Sequence, residues 1–350
     1  MSLSVLSAAH GGELWSPRLA AMTEDMKSTW GDWGVPSEIA RLQAVLLRRP
    51  GPELDAVTDF DAMQMRSDLS PDRVREQHDA LADAYRAAGV VVHYVERGRI
   101  DKPNAMFVRD LMLMTPEGAI VPRPASTVRA GEERLVAEAL AELGVPILMS
   151  VHGSGTFEGA DDIRVDEHLC FLAEGLRMNE EGADQVERIL REIGVTEVVR
   201  VGLPHGAMYL DGLLGIIDRD LAVVWPLRTP FKVVSTLRQR GFRFIEVDDE
   251  REAQDCLPMN FVALAPGEIL MPAGGLAMRQ KYETAGVRCY VVDIGECIKA
   301  GGGTHCMTGF LKRDAVFNAT SGEEYLTSVI AREDQAPDPW LLLHRRNPVT

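Results

Sequence analysis

The residues best suited to chemistry lie near the C-terminus, in Gly301-Gly302-Gly303-Thr304-His305-Cys306-Met307-Thr308. Three consecutive glycines allow close backbone approach or positive φ, so a side chain just beyond them can be presented at a surface instead of being packed away. A thiol held there could attack an electrophile. The bland alternative is a flexible glycine turn followed by a small buried apolar residue, which is what most free cysteines are. Upstream, acidic side chains recur at Asp110, Glu158 and Asp211, with Asn260 following. Any one of these alone reads as a turn or capping residue. They become a set through the elements that carry them.

Five segments have helical periodicity, end in glycine and pass at once into a β-rich run: Pro71 to Ala88 before Gly89, Arg129 to Leu143 before Gly144, Glu180 to Ile193 before Gly194, Phe231 to Arg240 before Gly241, and Ala277 to Ala285 before Gly286. Glycine is the residue expected where a left-handed position ends a helix, and the β-branched and aromatic residues that follow favour strands. The glycines recur every 45 to 55 residues, a spacing that signals a repeat architecture. Further short apolar runs, such as Leu111 to Thr115 with Ala119 to Val121, complete a unit of about three strands and one helix. A linear solenoid would need polar terminal caps that the sequence lacks, so five units closing around an axis account better for the count. The competing arrangement is an α/β sheet whose helices all end in glycine. The expected organisation is an N-terminal extension over residues 1–34, either a lid or interface arm or a loosely packed tail, followed by one closed α/β domain over residues 35–350.

Counted from each repeat glycine, Asp110, Glu158, Asp211, Asn260 and Cys306 fall 14 to 21 residues on. In a ring of equivalent units, comparable positions converge near the axis, which would set three carboxylates beside one thiol. Crowded carboxylates stay ionised only if a cation or shared protons compensate. A hard metal held by oxygens has no use for a thiol, and no histidine pair has ligand spacing. A guanidinium fits better, since its planar fork of N–H donors matches carboxylates bidentately, and its charge would favour the thiolate form of a neighbouring cysteine. No metal or organic cofactor is expected.

The overall composition agrees. Across 350 residues the formal charge is −16, with 46% hydrophobic and 26% charged residues, an ordinary soluble composition. That charge argues against nucleic acid or anionic membrane surfaces as partners and favours a small cationic ligand. No apolar run approaches the roughly 20 residues of a membrane helix, and the N-terminal stretch lacks a basic start and a continuous apolar core, which leads to a cytoplasmic expectation. Five cysteines without a C-x-x-C pair argue against a disulfide framework or a structural zinc site. A homo-oligomer is left open.

Together the motifs resemble those of the guanidine-modifying pentein superfamily, which includes arginine deiminases, amidinotransferases and dimethylarginine hydrolases. The matching pieces are Asn104-x-x-Phe107-x-Arg109-Asp110, Glu158-Gly159-x-Asp161, Gly175-Leu-Arg177-Met-Asn179 and Gly301-Gly-Gly-x-His305-Cys306. The stretch Gly34-Val-Pro-Ser37-Glu38, followed by Val45-Leu-Leu-Arg-Arg-Pro50-Gly51, also looks like the opening of arginine deiminases. The resemblance implies a five-bladed, pseudo-symmetric α/β propeller of ββαβ units around a central site. It implies a nucleophilic Cys306, Asp110 and Asp211 gripping the guanidinium, Glu158 assisting proton movement, and Arg177 pairing with a substrate carboxylate. Arg129 and Asn104 would help, and Arg109 and Asp161, in the matching pieces, would join the substrate-binding set. The implied activity is cysteine-dependent hydrolysis of the guanidino group of arginine or a modified arginine through a thiouronium-type intermediate. The alternatives are amidino transfer to an amine and a non-catalytic binding protein for a cationic amino acid.

The sequence departs from that pattern in one place that matters. The superfamily usually carries His-x-Asp in the third unit, the histidine serving as general acid and base, whereas this chain has Tyr209-Leu-Asp211, with His205 four residues earlier. A tyrosine with a pKa near 10 is a poor base at neutral pH, so His205 is the expected substitute and Tyr209 the alternative. Met178 replaces the usual threonine and Ala160 the usual glycine. His305, next to the nucleophile, is not assigned as the base, because neighbours in an extended segment point oppositely.

Overall fold

The computed structural model describes residues 6–315. Five three-stranded sheets make up its β structure. They are β1 (Leu42–Leu47) between β15 (Gly309–Arg313) and β2 (Val91–Tyr94); β4 (Gly118–Val121) between β3 (Leu113–Thr115) and β5 (Ile147–Ser150); β7 (Leu169–Glu174) between β6 (Asp162–Arg164) and β8 (Glu197–Gly202); β10 (Leu221–Val224) between β9 (Leu214–Asp218) and β11 (Arg243–Glu246); and β13 (Glu268–Pro272) between β12 (Val262–Ala265) and β14 (Arg288–Val292). In every sheet the middle strand pairs antiparallel with one neighbour and parallel with the other. A parallel pair needs a crossover. It is supplied by α2 (Pro71–Ala87), α3 (Glu132–Glu142), α4 (Glu180–Glu192), α5 (Phe231–Gln239) and α7 (Leu276–Thr284).

The five expected helices therefore all exist, with ends that differ by a few residues. Each of the five glycines has the left-handed backbone that stops a helix, with φ of 77° at Gly89, 72° at Gly144, 99° at Gly194, 84° at Gly241 and 89° at Gly286. One boundary shift has a functional consequence. Helix α3 starts at Glu132, after Gly131 at φ 93°, so Arg129 sits on the preceding turn with its side chain buried. Three shorter helices, α1 (Met22–Thr29), α6 (Glu250–Cys256) and α8 (Gly295–Lys299), complete the described set. The N-terminal segment is anchored at its end: the Trp33 indole donates to the Leu143 carbonyl at 3.1 Å, and Asp32 pairs with Lys312.

Helices cover the sheets through narrow apolar faces, as in α4, where Ala183, Val186, Ile189 and Leu190 are buried against Leu172 and Phe157. Strand β15 lies against β3, β9 against β12, and β12 against β1; the 3-10 turn at Val108–Leu111 meets that at Gly159–Asp161, and β6 meets the turn at Leu210–Gly212. Those turns each enter the first strand of a sheet, and two to four residues before such a strand stand Asp110, Glu158, Asp211, Asn260 and Cys306. The repeat thus delivers one polar side chain per sheet to the same level.

Close backbone approach fixes this level. A Cβ on Gly159 would lie 2.3 Å from the Arg109 carbonyl and 2.4 Å from that of Met112, so the turn carrying Glu158 abuts the one carrying Asp110. Gly159→Ala should therefore cost about 1–3 kcal/mol, the usual range for overpacking, and lower the melting temperature in scanning calorimetry. An unchanged melting temperature would mean that the two turns do not constrain one another.

Candidate active site

Cys306 is buried, 7% exposed, and lines a cleft together with Asn104, Phe107, Asp110, Arg129, Arg177 and Tyr209. Gly301 has the left-handed φ of 114°, while Gly302 and Gly303 serve close packing and not presentation at the surface. A Cβ on Gly302 would lie 2.5 Å from the Phe107 ring and 2.7 Å from the Cys306 Cβ, and one on Gly303 2.7 Å from the Asn260 Oδ1. Asn260 Nδ2 donates to the Cys306 sulfur at 3.0 Å. Burial, then the negative charges of Asp211 and Asp110, push the thiol well above its ordinary range, so it rests protonated.

The acidic groups are neutralised from within. Arg129 donates from Nη1 to Asp110 at 2.5 Å and to Glu158 at 3.3 Å, and from Nε to Glu132 at 2.9 Å. Its guanidinium thus fills part of the carboxylate-lined space. Arg177 donates to the other Glu158 oxygen at 3.3 Å, with its guanidinium 5.6 Å from the centre of the Tyr209 ring. Burial raises Asp110 to about 6; Arg129 opposes the shift and Glu158 adds to it. One Asp110 oxygen, Oδ1, is buried without a partner, an acceptor left over for a further N–H donor. Burial likewise raises Glu132 to about 7 against the pull of Arg129. Asp161 is raised well above the carboxylate range by burial and then by Glu158, and neither of its oxygens has a partner.

The third unit differs most from expectation. Tyr209 is buried, and its hydroxyl donates to Glu158 and, at 3.3 Å, to Asp110. Burial, Asp110 and Glu158 push its pKa well above the ordinary value, so it is no base at neutral pH. His205 sits on an exposed turn and does not line the cleft. The three residues between it and Tyr209 carry the chain inward, so the phenol enters the cleft and the imidazole stays outside. The expected substitution of His205 for the missing histidine is therefore absent from this arrangement.

Asp211 faces the other way. Its carboxylate accepts from His305 Nδ1 at 2.9 Å, while His305 Nε2 lies 3.4 Å from Glu38. Burial disfavours the charged imidazole, but the bonds to Asp211 and Glu38 outweigh it and raise the pKa. Glu38 is driven down to about 2 despite burial by Arg109 and His305. His305, Asp211 and Glu38 line a second cavity. His305 and Cys306 thus point into different cavities, although residues 304–307 form a hydrogen-bonded turn and not the extended segment expected. Arg109 also departs from the substrate-binding set: it reaches Glu38 at 3.3 Å and the Asp162 carbonyl at 2.7 Å, and stays out of the cleft. Neither Glu38 nor Asn260 is among the expected site residues, although Asn260 has the matched offset of the fourth unit and Glu38 lies in the stretch that resembles the opening of arginine deiminases.

Among the described residues, no cluster of three or more His, Cys, Asp or Glu is arranged to hold a metal ion, and no helix is long and apolar enough to cross a membrane. All five cysteines are free thiols.

Comparison with known proteins bears on what the cleft belongs to. The family model described as N,N dimethylarginine dimethylhydrolase, eukaryotic, matches residues 55–312. The N(G),N(G)-dimethylarginine dimethylaminohydrolase of Pseudomonas aeruginosa is 28% identical over 235 residues, covering 67% of this chain and 86% of that protein. A solved structure of the Pseudomonas aeruginosa enzyme, a variant complexed with citrulline, superposes with a TM-score of 0.65 at 25% identity over 78% of this chain and all of that one. The N-terminal domain of ArgZ, a cyanobacterial arginine dihydrolase, shares the fold, with a TM-score of 0.67 at 20% identity over 77% of this chain and 98% of that one. With three-quarters of its length matched, the chain belongs to the dimethylarginine dimethylhydrolase family, and with it to the guanidine-modifying enzymes of the pentein superfamily.

Proposed function

We propose that the protein hydrolyses the guanidino group of arginine or a modified arginine, with Cys306 as nucleophile. The observation that carries this reading is one cleft in which a buried thiol faces a carboxylate, Asp110, that keeps an unused oxygen. The five sheets are read as blades of a closed propeller, residues 35–350 as one catalytic domain and residues 1–34 as an extension. The chain of contacts through all five sheets supports that reading.

In this mechanism the substrate guanidinium engages Asp110 and displaces or shares the Arg129 contact, and Arg177 and Asn104 at the cleft wall take the α-carboxylate end. The arriving positive charge offsets the repulsion that keeps Cys306 protonated, so the thiol loses its proton when substrate is present. The sulfur then bonds to the guanidinium carbon, and the carbon–nitrogen bond breaks as the departing amine takes a proton. Water attacks the resulting thiouronium, the carbon–sulfur bond breaks, and the ureido product and free thiol remain.

The second half is the demanding one here. Glu158 already accepts from Tyr209, Arg129, Arg177 and the Ala125 amide, so its acceptor positions are occupied and an attacking water finds none of them free. With Tyr209 unable to serve, activation of water limits turnover and the covalent adduct accumulates.

Mass spectrometry of products from arginine, methylated arginines, agmatine and small guanidino acids should find a ureido product and a released amine or ammonia; dependence on an added amine would instead mean transfer, and ligand-dependent stabilisation without any product would mean a binding protein. Cys306→Ala should abolish turnover and retain binding, and near-normal activity would end the mechanism. Tyr209→His should speed breakdown of the adduct by about ten-fold or more, within the ~10²–10⁴ that general acid–base catalysis contributes; a quenched-flow burst of unchanged amplitude and an unchanged steady rate would argue against this account of Tyr209. Ligand affinity should also depend on pH. Because Asp110 is raised to about 6 and a cation binds its ionised form, arginine should bind the Cys306→Ala protein more tightly as pH rises through about 6 and then level off. Calorimetric titrations showing the opposite slope would exclude Asp110 as the ligand's partner.

A further inference from the structure

The Cys306 sulfur has burial and two carboxylates working against its ionisation, and among the described residues the side chain hydrogen-bonded to it is neutral. Asn260, buried and just ahead of β12, donates from Nδ2 to Sγ at 3.0 Å. Its other end settles which way the amide faces: Oδ1 accepts the His305 N–H at 2.9 Å and the Cys306 N–H at 3.2 Å. A flipped amide would set its NH₂ against two N–H donors and its oxygen against the sulfur, an arrangement repulsive at both ends. The backbone that carries the nucleophile therefore holds the amide that faces it. The Asn260 carbonyl is tied to the same loop through the Thr304 hydroxyl, and Gly303 leaves room for Oδ1, which a Cβ there would approach to 2.7 Å.

We infer that Asn260 is a further catalytic residue, one that holds and aims the Cys306 sulfur as a thiolate through its amide N–H. An N–H donor bonds a thiolate more strongly than a thiol, and so favours the reactive form. A fixed Lys or Arg on the sulfur would do so more strongly, yet it would repel the guanidinium that must approach the same atom; a neutral amide avoids that conflict. The amide is absent from the residues lining the cleft wall, so its effect falls on the sulfur and not on the ligand. The inference rests on the nucleophilic role proposed for Cys306, but its test does not require turnover.

The experiment is the pH dependence of Cys306 alkylation by iodoacetamide in the full-length protein, read by mass spectrometry on the peptide containing Cys306, which separates it from the other four thiols. Asn260→Ala should move the alkylation midpoint upward by about one unit, an approximately ten-fold slower reaction at a fixed pH below the midpoint, and should lower kcat with little change in KM. Asn260→Asp keeps an acceptor for both backbone N–H groups and guards against failure of the alanine variant to fold. It loses the donor and adds a charge, so its midpoint should rise further. A folded Asn260→Ala or Asn260→Asp protein with an unchanged midpoint would overturn the inference. If the wild-type protein turns over no guanidino compound, the proposed function fails, while the alkylation shift still tests the amide.

Discussion

The structure depends on keeping several buried carboxylates close to one thiol. Asp110, Glu158, Asp161 and Asp211 are each less than 5% exposed, and isolated charges at such depth would be prohibitive. Three local solutions coexist. Arg129 and Arg177 hold Glu158, and Arg129 also holds Asp110; the His305 imidazole holds Asp211; and burial shifts Asp161 toward its neutral form. The arrangement is not expected to stabilise the fold, since buried ion pairs seldom repay their desolvation. It leaves one acceptor over, because among the described residues Asp110 Oδ1 has no hydrogen-bond partner although Oδ2 is held by Arg129.

That electrostatic condition explains why the backbone here is so tightly specified. Gly159, Gly302 and Gly303 each stand where a Cβ would meet a carbonyl, an aromatic ring or the Asn260 side chain. The acidic turns and the thiol loop are brought to one level by the repeat, then pressed together further than ordinary side chains permit. The N-terminal segment contributes as well. Glu38 follows the extension and reaches across to His305 and Arg109, linking the chain's start to the loop near its end.

Much of this was legible in the residues. Helices ending at Gly89, Gly144, Gly194, Gly241 and Gly286, three strands to a unit, and matched offsets for Asp110, Glu158, Asp211, Asn260 and Cys306 are all local or periodic signals, and the structure carries every one. Side-chain direction was less legible. Arg109 and Asp110 are adjacent, as are His305 and Cys306, and in each pair one member turns into the cleft while the other turns toward Glu38. Spacing brings such neighbours to the same place in a unit but says little about which faces the cleft when the backbone is a turn.

The third unit shows the division most clearly. The resemblance set Tyr209-Leu-Asp211 against the usual His-x-Asp, and the order of residues put the nearest histidine, His205, four positions before Tyr209. Whether His205 could reach the cleft was a question of chain path, and the path puts it on an exposed turn while the phenol is drawn in beside Glu158. Residue types and period thus specify which groups a unit offers, because periodicity is written along the chain. Charge states and partners belong to the assembled protein, because burial and proximity across five sheets, absent from the unfolded chain, are what raise Asp110, keep Cys306 protonated and turn the Asn260 amide toward sulfur.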